Sequence, residues 1–276
     1  MDRIRLIASD MDATLLDEQS QLPADFEETI HALAELGIRF APASGRPLYT
    51  LEELFPTLRD ELVFIGDNGG AIRWKGQNLF TSEMSPEGWR ALNRLTREQG
   101  DIAVLCGLES AYVERPFAVH DAVLRHFYTK IEYVDRLEDV AAPADKFTIY
   151  LPQHNAQQAY DTVYASQRSI YSVAVAGECW VDIMNPGVHK GAALQTLGQL
   201  WGLPSESMMA FGDTYNDAEM LQTVRYGFLM ENGSEPLRQK VPFLAPSHRE
   251  AGVMQVLHRV LAQNGCVCPE DFVPAH

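Results

Sequence analysis

Residues 4–14, Ile4-Arg5-Leu6-Ile7-Ala8-Ser9-Asp10-Met11-Asp12-Ala13-Thr14, decide how the rest of the chain is read. Residues 4–9 form a short apolar, β-rich run, the pattern of a strand buried on both faces. Such a strand belongs in a parallel sheet with helices on each side. It runs straight into two carboxylates, Asp10 and Asp12. In an open parallel sheet, ligands bind at the C-terminal ends of the strands.

Downstream, residues 23–36 carry Phe26, Ile30 and Leu33 at helical spacing, with acidic residues in the first turns and Gly37 as a stop. Residues 39–43 read as a second strand, 47–55 as a helix and 62–65 as a third strand. This alternation implies right-handed crossovers and a parallel sheet. Asn68-Gly69-Gly70 and Lys75-Gly76 then punctuate two apolar runs, a hairpin signal. From about residue 84 the rhythm changes. A helix over 86–98 precedes short strands at 102–106, 146–151, 169–174 and 180–183, with helical stretches near 119–126 and 156–164. This predicts an α+β insert with a mainly antiparallel sheet. After Asn185-Pro186-Gly187 the alternation resumes, with a helix at 190–201, a strand at 208–212, a helix at 216–223 and a last helix at 252–261. The expected organisation is a discontinuous Rossmann-like α/β core, residues 1–82 with 187–276, and an α+β cap over 83–186.

Four groups follow predicted core strands or open a core helix. Asp10 and Asp12 suit a hard cation such as Mg²⁺, and one of them suits nucleophilic attack on phosphorus while the other moves a proton. A solvated acidic loop is the plain alternative. Ser44-Gly45-Arg46, before a helix with Pro47 in its first turn, offers a hydroxyl and backbone N–H groups to an anion, or is simply a helix cap. Lys190-Gly191 puts a cation at a helix N-terminus, against the dipole, which makes sense with an anion in front of it. Gly212-Asp213-Thr214-Tyr215-Asn216-Asp217 adds two carboxylates at a strand end, either completing a metal site or capping a helix.

The order of these groups along the chain resembles the haloacid dehalogenase superfamily of phosphohydrolases, and within it the Cof-type subfamily with a large α/β cap after the third core strand. The motifs are DMDATLL from Asp10, SGRP from Ser44, Lys190 with its glycine, and GDTYND from Gly212 followed by Met220. Asn68-Gly69-Gly70 and Ala251-Gly252-Val253 are similar to further subfamily segments. The resemblance implies a Mg²⁺-dependent phosphatase working through an aspartyl-phosphate. Asp10 would attack phosphorus, and Asp12 would protonate the leaving oxygen and then activate water. Thr14, Ser44, Gly45, Arg46 and Asn216 would contact phosphate or substrate, and Lys190 would neutralise charge. Asp10, the Asp12 carbonyl and Asp213 would hold Mg²⁺, supported by Asp217. One departure stands out: Ala13 occupies a position where the family usually has glycine. If that residue needs a positive φ, alanine costs about 1 kcal/mol.

With 22 Lys+Arg against 38 Asp+Glu the formal charge is −16. This argues against nucleic acid and anionic membranes as partners, since both need a basic surface. No segment approaches a membrane span, and the first residues do not read as a signal peptide. Cys106, Cys179, Cys266 and Cys268 lack metal-site spacing and read as reduced thiols of a cytoplasmic protein. The histidines show no ligand spacing, and residues 268–276 read as a loosely packed end. The expected partner is a small phosphorylated metabolite, with sugar phosphates first by resemblance, acted on by a monomer or homodimer. A phosphomutase and a non-catalytic phospholigand sensor are the alternatives.

Overall fold

The computed structural model describes residues 1–276. Leu6–Ser9 is buried at every residue and lies between Arg39–Pro42 and Met208–Gly212, parallel to both. Tyr226–Met230 and Phe243–Ala245 extend the sheet in parallel, and Val273–Pro274 closes that edge antiparallel. At the opposite edge, the parallel bridge between Ala43 and Ile65 aligns Val63–Gly66 with the sheet. That strand then forms an antiparallel ladder with Ala71–Trp74 and Gln77–Thr81, the hairpins expected from the glycine turns.

The two faces of the sheet divide by the period-two alternation of strands. Ile7, Phe40, Met209, Phe211 and Phe228 pack with Phe26, Ile30, Val253 and Leu257, from the helices Phe26–Glu35 and Gly252–Ala262. Leu6, Ala8, Ala41, Met208 and Ala210 pack with Leu194, Leu197, Met220 and Leu221, from the helices Lys190–Trp201 and Ala218–Thr223. Burying each such side chain stabilises the fold by about 1.5–3 kcal/mol before entropy is counted. The sheet is therefore fixed between two cores, and the C-terminal ends of its strands form one polar edge.

The second sheet belongs to the inserted α+β cap. Its order is Ser172–Val175, Trp180–Met184, Ala144–Tyr150, Ile102–Gly107, Ala111–Glu114, Ile131–Val134. Every pairing is antiparallel except the last. Ala111–Glu114 and Ile131–Val134 escape the sequence reading because they are short and only partly buried. The register pairs Thr148 with Asp182 and Lys146 with Met184, so Lys146, Thr148 and Asp182 share one face. An irregularity between Ala144 and Lys146 interrupts the ladder at that point.

Some expectations shift. The helix near 119–126 is the Asp121–Phe127 helix entered through a 3₁₀ turn at Arg115–His120. All four cysteines are free, and no helix is long and apolar enough to cross a membrane. The C-terminal segment is not loose. Phe211, Phe228 and Phe243 stack across three adjacent strands at 5.0 and 5.3 Å. Phe272 meets Phe228 edge-on at 5.0 Å and is 8% exposed. The tail is anchored by one aromatic side chain and a two-residue edge strand, signals too sparse to show as periodicity. Phe272→Ala should therefore cost about 3 kcal/mol, lowering the melting temperature by roughly 6–10 °C. A loosely held end would shift it by less than about 2 °C in thermal denaturation.

Candidate active site

Adjacent strands deliver the central carboxylates. Asp10 directly follows Leu6–Ser9, its N–H donating to the Phe211 carbonyl at 2.9 Å, and Asp213 directly follows Met208–Gly212. Asp217 reaches the same point from the turn Tyr215–Asp217, tucked behind Gly212. A Cβ on Gly212 would lie 2.4 Å from that of Asp217, so only glycine allows this approach. Asp217 is fully buried. Its Oδ2 accepts from the N–H groups of Asp213 (3.0 Å) and Thr214 (3.2 Å), and its Oδ1 from Lys190 at 2.7 Å. Lys190, the first residue of its helix and also fully buried, pairs with Asp10 as well. Carboxylate oxygens of Asp10, Asp213 and Asp217 all lie within 4.8 Å of one another.

Three carboxylates thus surround one ammonium in a poorly solvated place. Burial, then the charge of Asp217, pushes the Asp10 carboxyl well above the usual range, and Lys190 only partly offsets this. Asp213 is pushed up to about 6 by burial and by Asp217. Burial acts to lower the Lys190 pKa, but Asp10 and Asp217 together hold it above its usual value. Raised carboxyls and a secured ammonium mean that negative charge remains uncompensated. An all-oxygen donor set with excess negative charge fits a hard divalent cation such as Mg²⁺.

The other expected residues surround this centre. Met11–Leu15 forms a tight turn in which Ala13 has φ 59°, the left-handed conformation that favours glycine, at a cost of about 1 kcal/mol. The turn nonetheless keeps Asp10 and Thr14 at the centre; the Thr14 hydroxyl donates to Asp213 at 3.4 Å. Asp12 is turned outward, its side chain 57% exposed, and Arg46 donates to it at 2.8 Å. The Arg46 Nε is buried without a partner. Ser44 Oγ accepts from the Arg46 N–H at 3.1 Å. Asn216 is turned toward Thr214, whose hydroxyl donates to its carbonyl oxygen at 2.7 Å.

Several residues here were not singled out from sequence. Asn232 donates to the Ala13 carbonyl at 2.8 Å and holds the strained turn. Asn68, read as a turn former, does have φ 54°, but its amide also donates to Asp182 of the cap at 3.0 Å. The following Gly69 is needed because a Cβ there would lie 2.6 Å from the His189 carbonyl, beside Lys190. Lys146 and Asp182 are charged residues inside buried strands, ADKFTIY and WVDIM, and that mismatch was the available signal. A cavity of about 1050 Å³ separates core from cap. Its floor carries Asp10 and Asp213, and its roof carries Thr148 and Asp182 beside the rings of Phe127 and Trp180.

Residues 7–257 match the family model described as haloacid dehalogenase-like hydrolase. The chain is 31% identical over 262 residues to the 5-amino-6-(5-phospho-D-ribitylamino)uracil phosphatase YbjI of Escherichia coli (strain K12), covering 94% of this chain and 96% of that protein. It is 30% identical over 249 residues to an HMP-PP phosphatase of Cronobacter sakazakii, covering 87% and 89%. Among solved structures, SMU.1108c from Streptococcus mutans UA159 superposes with a TM-score of 0.85 at 28% identity, over 94% of this chain and 99% of that one.

Because the carboxyls of the cluster are raised, a cation would have to displace protons to bind there, so any metal binding would depend on pH. Asp213, at about 6, is largely ionised at neutral pH and above and largely protonated in mild acid. The rise in melting temperature on adding Mg²⁺ should be at least about twice as large near pH 7.5 as near pH 5.5. Equal shifts would place the cation elsewhere.

Proposed function

Because the chain belongs to the haloacid dehalogenase-like hydrolases, of the Cof type, and is a phosphatase of small phosphorylated metabolites, we propose that Asp10 is its nucleophile and Mg²⁺ its metal. The observation that carries the reading is the buried contact of Asp10 with Lys190, inside a carboxylate cluster on the floor of the cavity between core and cap. Asp10 attacks phosphorus as the alcohol leaves, giving an aspartyl-phosphate that water then hydrolyses. Asp12 gives the leaving oxygen its proton and later takes one from the attacking water. Arg46 fixes where the Asp12 side chain waits. Thr14, Ser44, the Gly45 backbone and Asn216 hold phosphoryl oxygens.

Lys190 stays charged throughout, stabilising both the ionised nucleophile and the developing negative charge. Asp10, the Asp12 carbonyl and Asp213, with Asp217 behind, would hold Mg²⁺, which when bound would supply further neutralisation of the phosphoryl group. The inserted segment, which we take as residues 83–186, covers the cavity and excludes water.

For the substrate we propose a sugar or sugar-alcohol phosphate. The E. coli relative is named for a ribityl phosphate carrying a uracil, and a cavity of about 1050 Å³ with a polar roof and aromatic neighbours accommodates such a molecule. The left-handed Ala13 leaves Asp10 and Thr14 in place, which favours a working enzyme over a phospholigand sensor. With Mg²⁺ the protein should release phosphate from para-nitrophenyl phosphate, and from sugar and ribityl phosphates in a metabolite panel. Asp10→Asn should lower this turnover by at least about 10³-fold. Turnover equal to the parent would exclude Asp10 as the nucleophile. An isomerised sugar phosphate without free phosphate would indicate a mutase, and tight binding without phosphate release a sensor.

A further inference from the structure

Lys146 stands in the middle of the cap strand Ala144–Tyr150, yet its ammonium group crosses to the core. It is 2% exposed. Its Nζ lies 3.0 Å from Asp67, on the core, and 3.5 Å from Asp182, on the cap. It also donates to the carbonyl of Gly45 at 2.5 Å. The mechanism above makes no use of it. Asp182 is itself tied down, accepting from Thr148 at 2.6 Å and from Asn68 at 3.0 Å. Burial works against the charge on Lys146, but Asp182 and Asp67 more than restore it, so the cation is held in one place.

The contact at Gly45 matters because of how the loop Ser44-Gly45-Arg46 is held. Its three consecutive carbonyls have three different partners. The Asn68 N–H donates to the Ser44 carbonyl at 2.9 Å, and the Asp67 N–H to the Arg46 carbonyl at 3.0 Å, both from within the core. The middle carbonyl, that of Gly45, receives its bond from the cap. In a trans peptide the carbonyl and the following N–H point to opposite sides, and no peptide in the chain is cis. Fixing the Gly45 carbonyl toward Lys146 therefore aims the Arg46 N–H away from it, onto Ser44 Oγ at 3.1 Å. With that lone pair engaged, the Ser44 hydroxyl is free to donate its proton to an incoming anion.

We propose that Lys146 is a positioning residue through which the closed cap sets the Gly45–Arg46 peptide, and with it Ser44, in the phosphate-binding form. Cap closure and phosphoryl affinity are thereby coupled: an open cap withdraws the ammonium and releases the one carbonyl of the loop that the core does not hold. This rests on the proposed role of the 44–46 loop in holding the phosphoryl group.

Inorganic phosphate has no leaving group for the cap to read, so it separates positioning from leaving-group recognition. Its inhibition constant against para-nitrophenyl phosphate hydrolysis should rise about tenfold in Lys146→Met, the expected loss for a bond to a charged donor, with kcat falling alongside. Lys146→Arg should recover phosphate inhibition to within about threefold of the parent, because the charge and reach are kept. Should Lys146→Met not fold, with its carboxylates left unpaired, the double variant Asp67→Asn/Lys146→Met removes a cation and an anion together and is expected to show the same rise. A folded variant with unchanged phosphate inhibition overturns the proposal, even if KM for larger substrates moves. A parent that neither hydrolyses para-nitrophenyl phosphate nor is inhibited by phosphate overturns both this proposal and the assigned role of the loop.

Discussion

The pairing of Lys190 with Asp10 and Asp217 joins parts of the chain separated by 180 and 27 residues. It is buried completely on the lysine side, and an ion pair so placed must satisfy nearly all of its own hydrogen bonding. That need explains much of the surrounding backbone. Gly191 brings the lysine helix against Glu219, where a Cβ would lie 2.7 Å from backbone atoms, and Gly212 leaves room for Asp217. His189 caps the helix through its own ring, accepting from the Ala192 N–H at 3.1 Å, so Lys190 enters the site from a fixed first turn. Removing one member of such a set typically costs about 3–5 kcal/mol, because the remaining charges stay buried and unpaired. Stability and chemistry therefore draw on the same contacts, and the residual negative charge is what an incoming cation meets.

Much of this was legible because the core strands are buried on both faces. A run such as residues 6–8 is apolar until the sheet nears its end, and the polar residues that follow mark the edge where a ligand binds. Asp10, Ser44 and Asp213 each announce themselves in that way. The orientation of Asp12 was not legible, since it depends on a left-handed turn at Ala13 and on Arg46, 34 residues away. Nor was the seam between core and cap. Lys146 and Asp182 are single charged residues in apolar strands, and nothing in their neighbourhoods along the chain names Gly45, Asp67 or Asn68 as partners. The C-terminal segment fails for a similar reason: Phe272 is one side chain completing an aromatic stack built by three distant strands.

The acidic composition takes on a definite meaning once these contacts are seen. Two fully buried lysines, Lys190 and Lys146, each sit among three buried carboxylates. The first set is Asp10, Asp213 and Asp217, and the second is Asp67, Asp182 and, next to the lysine in sequence, Asp145. The excess charge is alike, but the geometry is not. In the first set the carboxylate oxygens converge on one point at the cavity floor, as a metal site requires. In the second they are spread around the ammonium, and both oxygens of Asp145 are buried without any partner. Burial and the nearby Asp67 push the Asp145 carboxyl well above the usual range, as burial and Asp217 do for Asp10. The convergent cluster can therefore exchange its protons for a cation, while the dispersed one offers no single point for a cation to occupy. That difference in geometry suits a floor that can receive a cation beneath a seam that holds the cap in register and, through Lys146, reaches the Gly45 carbonyl of the loop below.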